Sequence, residues 1–173
     1  IIGISGGIDS AVTSTLCART GLDVVPVSMP ILQHKKLQNR SLAHIYWLKN
    51  KFSNIKYTTT DLSGVFSEFK KTLADFPSEH GLANSQARLR MTTLYQIAAF
   101  YDGLVVGTGN KVEDFGIGFY TKYGDGGVDI SPIADCFKTD VWEMGKALEI
   151  LDDIITAEPT DGLWNDGRND KDQ

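Results

Sequence analysis

The chain opens on a short apolar run, IIGIS, that passes directly into SGGIDSAV and then into a helix-forming stretch ending near Gly21. Two glycines between a strand and a helix let the backbone turn tightly. The strand before them has no polar face, so it must be covered on both sides, as strands of parallel sheets are. The rest of the chain repeats this alternation. VVPVSMP reads as a second buried strand, with interior Pro26 marking an irregularity or a position near an edge. Ser41 to Phe52 carries Leu42, Ile45 and Leu48 at helical intervals. IKYTTTD, rich in β-branched residues, is a third strand. Leu62, Val65, Phe66, Phe69 and Leu73 mark one face of a helix, and a loop with Pro77 and Gly81 leads to a long helix from Ala83 to Tyr101. GLVVGT is a fourth strand. Residues 109–132 form a glycine-rich, charged loop of a length more often functional than idle, and Thr139 to Leu148 is a last amphipathic helix. The expected class is α/β: three α/β/α layers around a mostly parallel, doubly wound, Rossmann-like sheet.

Ligands of such sheets collect at the carboxyl ends of the strands. The unusual sequences all lie there: SGGIDS after the first strand, SMP after the second, GTGNKVED after the fourth. Glycines at a strand-to-helix turn leave N–H groups open to an anion, and the helix N-terminus adds partial positive charge. Ser5 and Ser10 add hydroxyl donors, so phosphate or pyrophosphate is the natural guest. The loop is neither GxxxxGK[ST] nor GxGxxG, which argues against ordinary kinases and nicotinamide-dependent dehydrogenases. Asp9 fits the helix dipole as a first-turn acid, the simpler account of its place. Beside phosphate it would repel without an intervening cation, which makes it a candidate magnesium ligand.

Composition narrows the partners. With 173 residues and 42% hydrophobic content, the chain suits one compact domain, 1–173. Both ends look cut, since Ile1 is already inside a strand and NDGRNDKDQ ends without a terminal element. A net charge of −5 argues against a nucleic-acid-coating surface. No apolar run approaches the ~18 residues of a membrane span, so a soluble, cytoplasmic protein is expected. Cys17 and Cys136 fit no CxxC pattern and are read as buried free thiols. His34, His44 and His80 lack metal-ligand spacing. Trp47, Trp142 and Trp164 are read as packing residues.

SGGxDS resembles the loop of the N-type ATP pyrophosphatases (the adenine nucleotide alpha-hydrolase-like superfamily), which cleave ATP between its α- and β-phosphates and adenylate a carbonyl or carboxyl oxygen. NSQARLRM, VVGTGNKVED, GFYTKYGDGGVDISPIAD, KTDV and PTDGLW follow in the order and nearly the spacing of the NAD synthetase family, over essentially all 173 residues. The resemblance implies that deamido-NAD is adenylated by ATP with release of pyrophosphate, and that ammonia then displaces AMP to give NAD. It also implies Mg²⁺ and a homodimer. Position by position, Gly3, Ile4, Ser5, Gly6, Gly7, Ile8, Asp9 and Ser10 match the ATP-phosphate loop, with Asp9 also a magnesium ligand. Thr108, Lys138 and Thr160 match ATP contacts, Lys138 being the cation expected to offset charge on departing pyrophosphate. Glu113 matches the second magnesium carboxylate in preference to adjacent Asp114. Asn84, Arg88, Lys122 and Asp129 match deamido-NAD contacts, and Arg90, two residues from Arg88, points elsewhere.

Plainer readings stand beside these: Arg88 as a surface charge, Lys122 and Asp129 as a charge-closed glycine turn, Lys138 as a helix start, Glu113 as a solvated loop acid. The rival functions are another SGGxDS enzyme, GMP synthetase-like or tRNA-modifying, and a non-catalytic nucleotide-binding module. Sulfur transfer would call for cysteines after strands, and a mere sensor needs no paired carboxylates. No Cys–His–acid set of a glutaminase is visible, which points to free ammonia or a donor domain elsewhere.

Overall fold

The computed structural model describes residues 1–32 and 35–157. The elements alternate as β1 (Ile2–Gly3), α1 (Ile8–Arg19), β2 (Pro26–Ser28), α2 (Lys35–Lys51), β3 (Thr58–Thr59), α3 (Ser63–Thr72) and α4 (Glu79–Tyr101). A π-helical segment (Lys111–Ile117), α5 (Lys138–Ala147) and α6 (Asp152–Ile155) follow. β1 pairs in parallel with β2, and β2 with β3. GLVVGT forms no regular strand, but Val106 bridges in parallel to Ile2 on one side and to Ile130 on the other. The extended segments therefore run β3, β2, β1, Val106, Ile130. The chain begins in the middle, winds outward to β3, and returns to the far side of β1. That reversal is a doubly wound switch point, and SGGIDS and GTGNKVED leave the sheet on its two sides.

Side-chain alternation along the strands builds the layers. Ile2, Ile4 and Val24 pack with Ala18 of α1 and with Ile45 and Leu48 of α2. Val25, Val27 and Met29 pack on the opposite face with Phe66 of α3 and with Met91, Leu94 and Ala98 of α4. This is the period of two that a sheet covered on both faces requires. A further cluster joins Ile8, Ala11 and Val12 of α1 to Val141 of α5 and Ile154 of α6. α1 is thus enclosed between the sheet and α5–α6. Its Ser10, Thr13, Ser14 and Thr15 are buried along with its apolar residues, so it shows no polar stripe. Ser14 and Thr15 settle their hydroxyls on the Ala11 carbonyl, at 3.1 and 2.7 Å.

Pro26 fits both readings: β2 is paired on both sides by β1 and β3 but lies next to the outermost strand β3 of the described sheet. Pro26 falls in a gap in the β2–β3 ladder, between the Val24–Ile55 bridge and the Val27–Thr58 pair. α4 begins earlier than its apolar pattern, at Glu79, because Ser78 Oγ caps it by accepting from the Gly81 N–H at 3.0 Å. The glycine-rich stretch read as a loop holds the π-helical segment and the Ile130 bridge. Cys17 and Cys136 are free thiols, as expected, but only half-buried. Among the described residues no helix is long and apolar enough to cross a membrane.

Candidate active site

The loop Ser5–Gly7 closes on itself through its own hydroxyls. Gly7 N–H donates to Ser5 Oγ (3.1 Å), Ser10 Oγ donates to the Gly7 carbonyl (3.0 Å), and the two serine oxygens lie 3.1 Å apart. Gly6 has φ +89°, and a Cβ there would come within 2.8 Å of the Leu37 carbonyl. Only glycine fits both the left-handed backbone and the close approach of α2. The loop delivers Asp9 into the first turn of α1.

Three side chains from distant segments converge on Asp9. Lys138, the first residue of α5, donates to Asp9 Oδ2 at 2.6 Å and to Glu113 Oε1 at 2.7 Å. Asn110, fully buried, donates from Nδ2 to Asp9 Oδ1 at 3.0 Å, and its Oδ1 accepts from the N–H groups of Val112 and Glu113, each at 3.1 Å. Asn110 therefore caps the π-helical segment and fixes Glu113 relative to Asp9. Burial pulls the Lys138 ammonium down, but the charges of Asp9 and Glu113 outweigh it and hold it above its ordinary value. Burial lifts the Asp9 carboxyl although Lys138 opposes it, so further positive charge beside Asp9 is favourable. Asp114 is pushed up to about 6, first by burial and then by Asp125, Glu113 and Asp9. Its carboxylate lies against Gly109, where any Cβ would collide with it.

These groups line one cavity of about 620 Å³ at the carboxyl ends of the strands. Gly3, Ile4, Ser5, Gly7, Ile8, Asp9, Ser10, Asn84, Thr108, Glu113 and Lys138, all singled out in the sequence, face it, and Gly6 supplies the backbone turn behind. Asn84 Oδ1 accepts from Thr121 Oγ1 at 2.7 Å, tying α4 to the glycine-rich segment. Arg88, Lys122 and Asp129 do not reach the cavity. Arg88 is exposed and donates from Nε to the Lys122 carbonyl at 3.0 Å. Asp129 accepts from Tyr95 Oη at 2.9 Å and from the Val105 N–H at 2.7 Å. These three lie on the outer side of α4, near a shallow cleft lined by Met91, Tyr95 and Tyr123. Thr160 and Trp164 lie outside the described residues. Trp47 and Trp142 both pack against core clusters as expected, and Trp142 also lines the cavity.

Two arginines that sequence reasoning passed over also face the cavity. Arg90 points away from Arg88, as helical spacing requires, and therefore inward; it donates from Nε to the Met29 carbonyl at 3.1 Å while its Nη2 is buried with no partner. Arg40 of α2 lines the wall beside Gly6, with its Nε buried and unpartnered. The signal for Arg90 was the i, i+2 spacing itself. For Asn110 it was a strong N-capping residue just before a charged turn, while nothing in the sequence pointed to Arg40.

Whether the acids fit magnesium can be judged from the cation already between them. Asp9 and Glu113 share one ammonium group, so both carboxylates address a single cation position. They are hard oxygen ligands, and two of them leave room for phosphate and water, the usual magnesium arrangement. Among the described residues no group of three or more His, Cys, Asp or Glu is arranged to hold a metal without such help.

The family model described as NAD synthase matches residues 1–173. The chain is 42% identical over 177 aligned residues to the NH(3)-dependent NAD(+) synthetase of Methanosarcina acetivorans, covering 99% of this chain and 66% of that protein. Among solved structures it resembles an NMN synthetase from Francisella tularensis, with a TM-score of 0.91 and 36% identity over 99% of this chain and 69% of that one. It also resembles an NH3-dependent NAD synthetase from Campylobacter jejuni, with a TM-score of 0.80 and 31% identity over 89% and 65%. The chain thus spans about two thirds of the length of the curated relatives it matches.

Proposed function

The chain belongs to the NAD synthase family, and from that premise we propose that it amidates deamido-NAD to NAD, using ATP and taking ammonia as nitrogen donor. The observation that carries the reading is the meeting, in one cavity, of a glycine loop at a helix N-terminus with the Asp9–Lys138–Glu113 cluster. The loop suits a polyphosphate, and the cluster suits the cation a polyphosphate brings with it.

In the first step a carboxylate oxygen of the nicotinate attacks the α-phosphorus of ATP. The bond to the β-phosphate oxygen breaks, and pyrophosphate leaves with the electron pair. In the second, the lone pair of ammonia attacks the carbonyl carbon, the bond to the AMP oxygen breaks, and one nitrogen proton is lost as AMP departs. Ser5, Ser10 and the loop N–H groups hold the phosphates. Lys138 offsets the charge that builds on the departing pyrophosphate. Asp9 and Glu113 would hold magnesium, which when bound screens the polyphosphate charge. Glu113 is preferred to Asp114 because it shares the cation with Asp9. Thr108 borders the phosphate end of the cavity, and Asn84 is the deamido-NAD residue that faces the reacting centre. Arg88, Lys122 and Asp129 are assigned to the outer part of the dinucleotide, at a homodimer surface.

A second reading has one observation behind it: the solved relative with TM-score 0.91 is an NMN synthetase. Nicotinate mononucleotide is therefore the competing substrate, and it would not need contacts outside the cavity. The test is turnover by the full-length protein with ATP and magnesium, following pyrophosphate, AMP and the amide product. Deamido-NAD is compared with nicotinate mononucleotide, and ammonium with glutamine. NAD formed from deamido-NAD with ammonium alone supports the proposal. Preference for the mononucleotide supports the second reading, and pyrophosphate release with neither substrate rejects both.

A further inference from the structure

Lys138 of α5 and Arg40 of α2 both line the cavity that the phosphate loop opens into, and among the described residues only the first is ion-paired. Lys138 is held by two carboxylates. Arg40 makes no ion pair and no hydrogen bond among the described residues, although its Nε is buried. Asp153 of α6 acts on it only at a distance, while burial pulls its pKa below the usual value. Only this one nitrogen is enclosed: Arg40 as a whole is half-buried and lines the cavity, so part of its side chain is open to a ligand.

Its place indicates what supplies the acceptor. A Cβ on Gly6 would lie 3.3 Å from Arg40 Cβ, so the arginine rises from α2 directly beside the turn of the loop, and it lines the cavity that the loop opens into. We propose that Arg40 is a further anion-contacting residue of this site, gripping the pyrophosphate end of the bound nucleotide from the α2 side while Lys138 faces it from α5. The assignment rests on the adenylating reading above. A guanidinium suits the task because its planar fork meets two phosphate oxygens at once. With no acid in ion-pair distance among the described residues, it is available to a ligand without first breaking an ion pair there.

The experiment is calorimetric titration of inorganic pyrophosphate and, separately, of AMP into the full-length protein in magnesium-containing buffer, for the wild type, Arg40→Gln and Arg40→Lys. The expected result is about tenfold weaker pyrophosphate binding in R40Q, AMP affinity unchanged within about twofold, and a smaller loss in R40K, in line with one charge-assisted contact. Equal pyrophosphate affinity in wild type and R40Q overturns the proposal, as does an equal loss of both ligands, which would mean that Arg40 merely shapes the loop. Should R40Q unfold, Arg40→Met keeps the packed stem and is read in the same way. A wild type that binds neither pyrophosphate nor AMP rejects the adenylating reading itself.

Discussion

Lys138 Nζ lies 2.6 Å from Asp9 Oδ2 across a sequence separation of 129 residues, and the same nitrogen lies 2.7 Å from Glu113 Oε1. One ammonium thus separates two acids that would otherwise face each other. Replacing Lys138 by Met keeps the stem and removes the charge. The expected cost is about 1–3 kcal/mol in metal-free buffer, below that of a wholly buried pair because Glu113 retains 31% side-chain exposure. Magnesium is expected to restore part of it, and turnover to fall about a hundredfold. Urea unfolding with and without magnesium reads the first effect, and pyrophosphate release the second. Unchanged stability under both conditions would show that the two acids do not share a cation position.

Asn110 joins the same cluster from behind. Its amide bonds to Asp9 on one side and to two backbone N–H groups on the other, with no exposed surface. Asn110→Leu leaves those donors and Asp9 Oδ1 without a partner, and about 2–4 kcal/mol of stability should go with them. Asn110→Asp keeps the cap acceptor but sets a second carboxylate against Asp9, so it should retain more stability than the Leu variant while losing as much turnover. Chemical denaturation and steady-state rates on the pair check this, and equal stability of the two variants would exclude the capping role.

His44 ties α2 to α1 and carries the clearest pH dependence outside the cavity. It is fully buried, stacks on Trp47 with centroids 5.5 Å apart, and has Nε2 2.9 Å from Ser14 Oγ. Ser14 gives its proton to the Ala11 carbonyl, which leaves the histidine proton on Nε2 and Nδ1 bare and unpartnered. Burial accordingly lowers its pKa from 6.5 to about 4. The unfolded chain takes up the proton first, so stability falls as pH drops below about 6.5 and this contribution levels off below about 4. The loss amounts to about 3 kcal/mol. His44→Phe keeps the stacking and should flatten that part of the profile. Parallel wild-type and H44F curves between those limits would show that the ring is not held neutral.

The alternation of strands and helices was legible because short unbroken apolar runs and apolar faces of helical spacing are local signals. The phosphate loop was legible for the same reason: its glycines and hydroxyls are consecutive. What stayed hidden depends on tertiary placement. Pro26 sits in a strand paired on both sides because its missing donor falls in a ladder gap, which no local pattern reveals. Asn110 and Arg40 act through neighbours from other elements. Arg88, Lys122 and Asp129, grouped by their motifs, do share one side of α4, but the cavity opens on the other.

Arg90 sets stability against binding. Its Nε donates to the Met29 carbonyl, its Nη2 is buried without a partner, and burial alone pulls its pKa to about 10. No carboxylate lies within ion-pair distance among the described residues, so the folded protein carries a charge it does not neutralise. Arg90→Met replaces that charge with an apolar chain of similar reach, between Met29 and Met91 on the cavity wall. The gain from removing an unmatched buried cation should exceed the loss of the one hydrogen bond to Met29 by about 1 kcal/mol, raising Tm by about 2–4 °C. ATP affinity should fall about tenfold at the same time, because Arg90 lines the cavity the nucleotide enters and its charge is lost there. Thermal unfolding and ATP titration of the same preparation give both numbers. A variant that is less stable and binds ATP as before would make Arg90 a structural clamp on β2 rather than a donor held ready for the ligand.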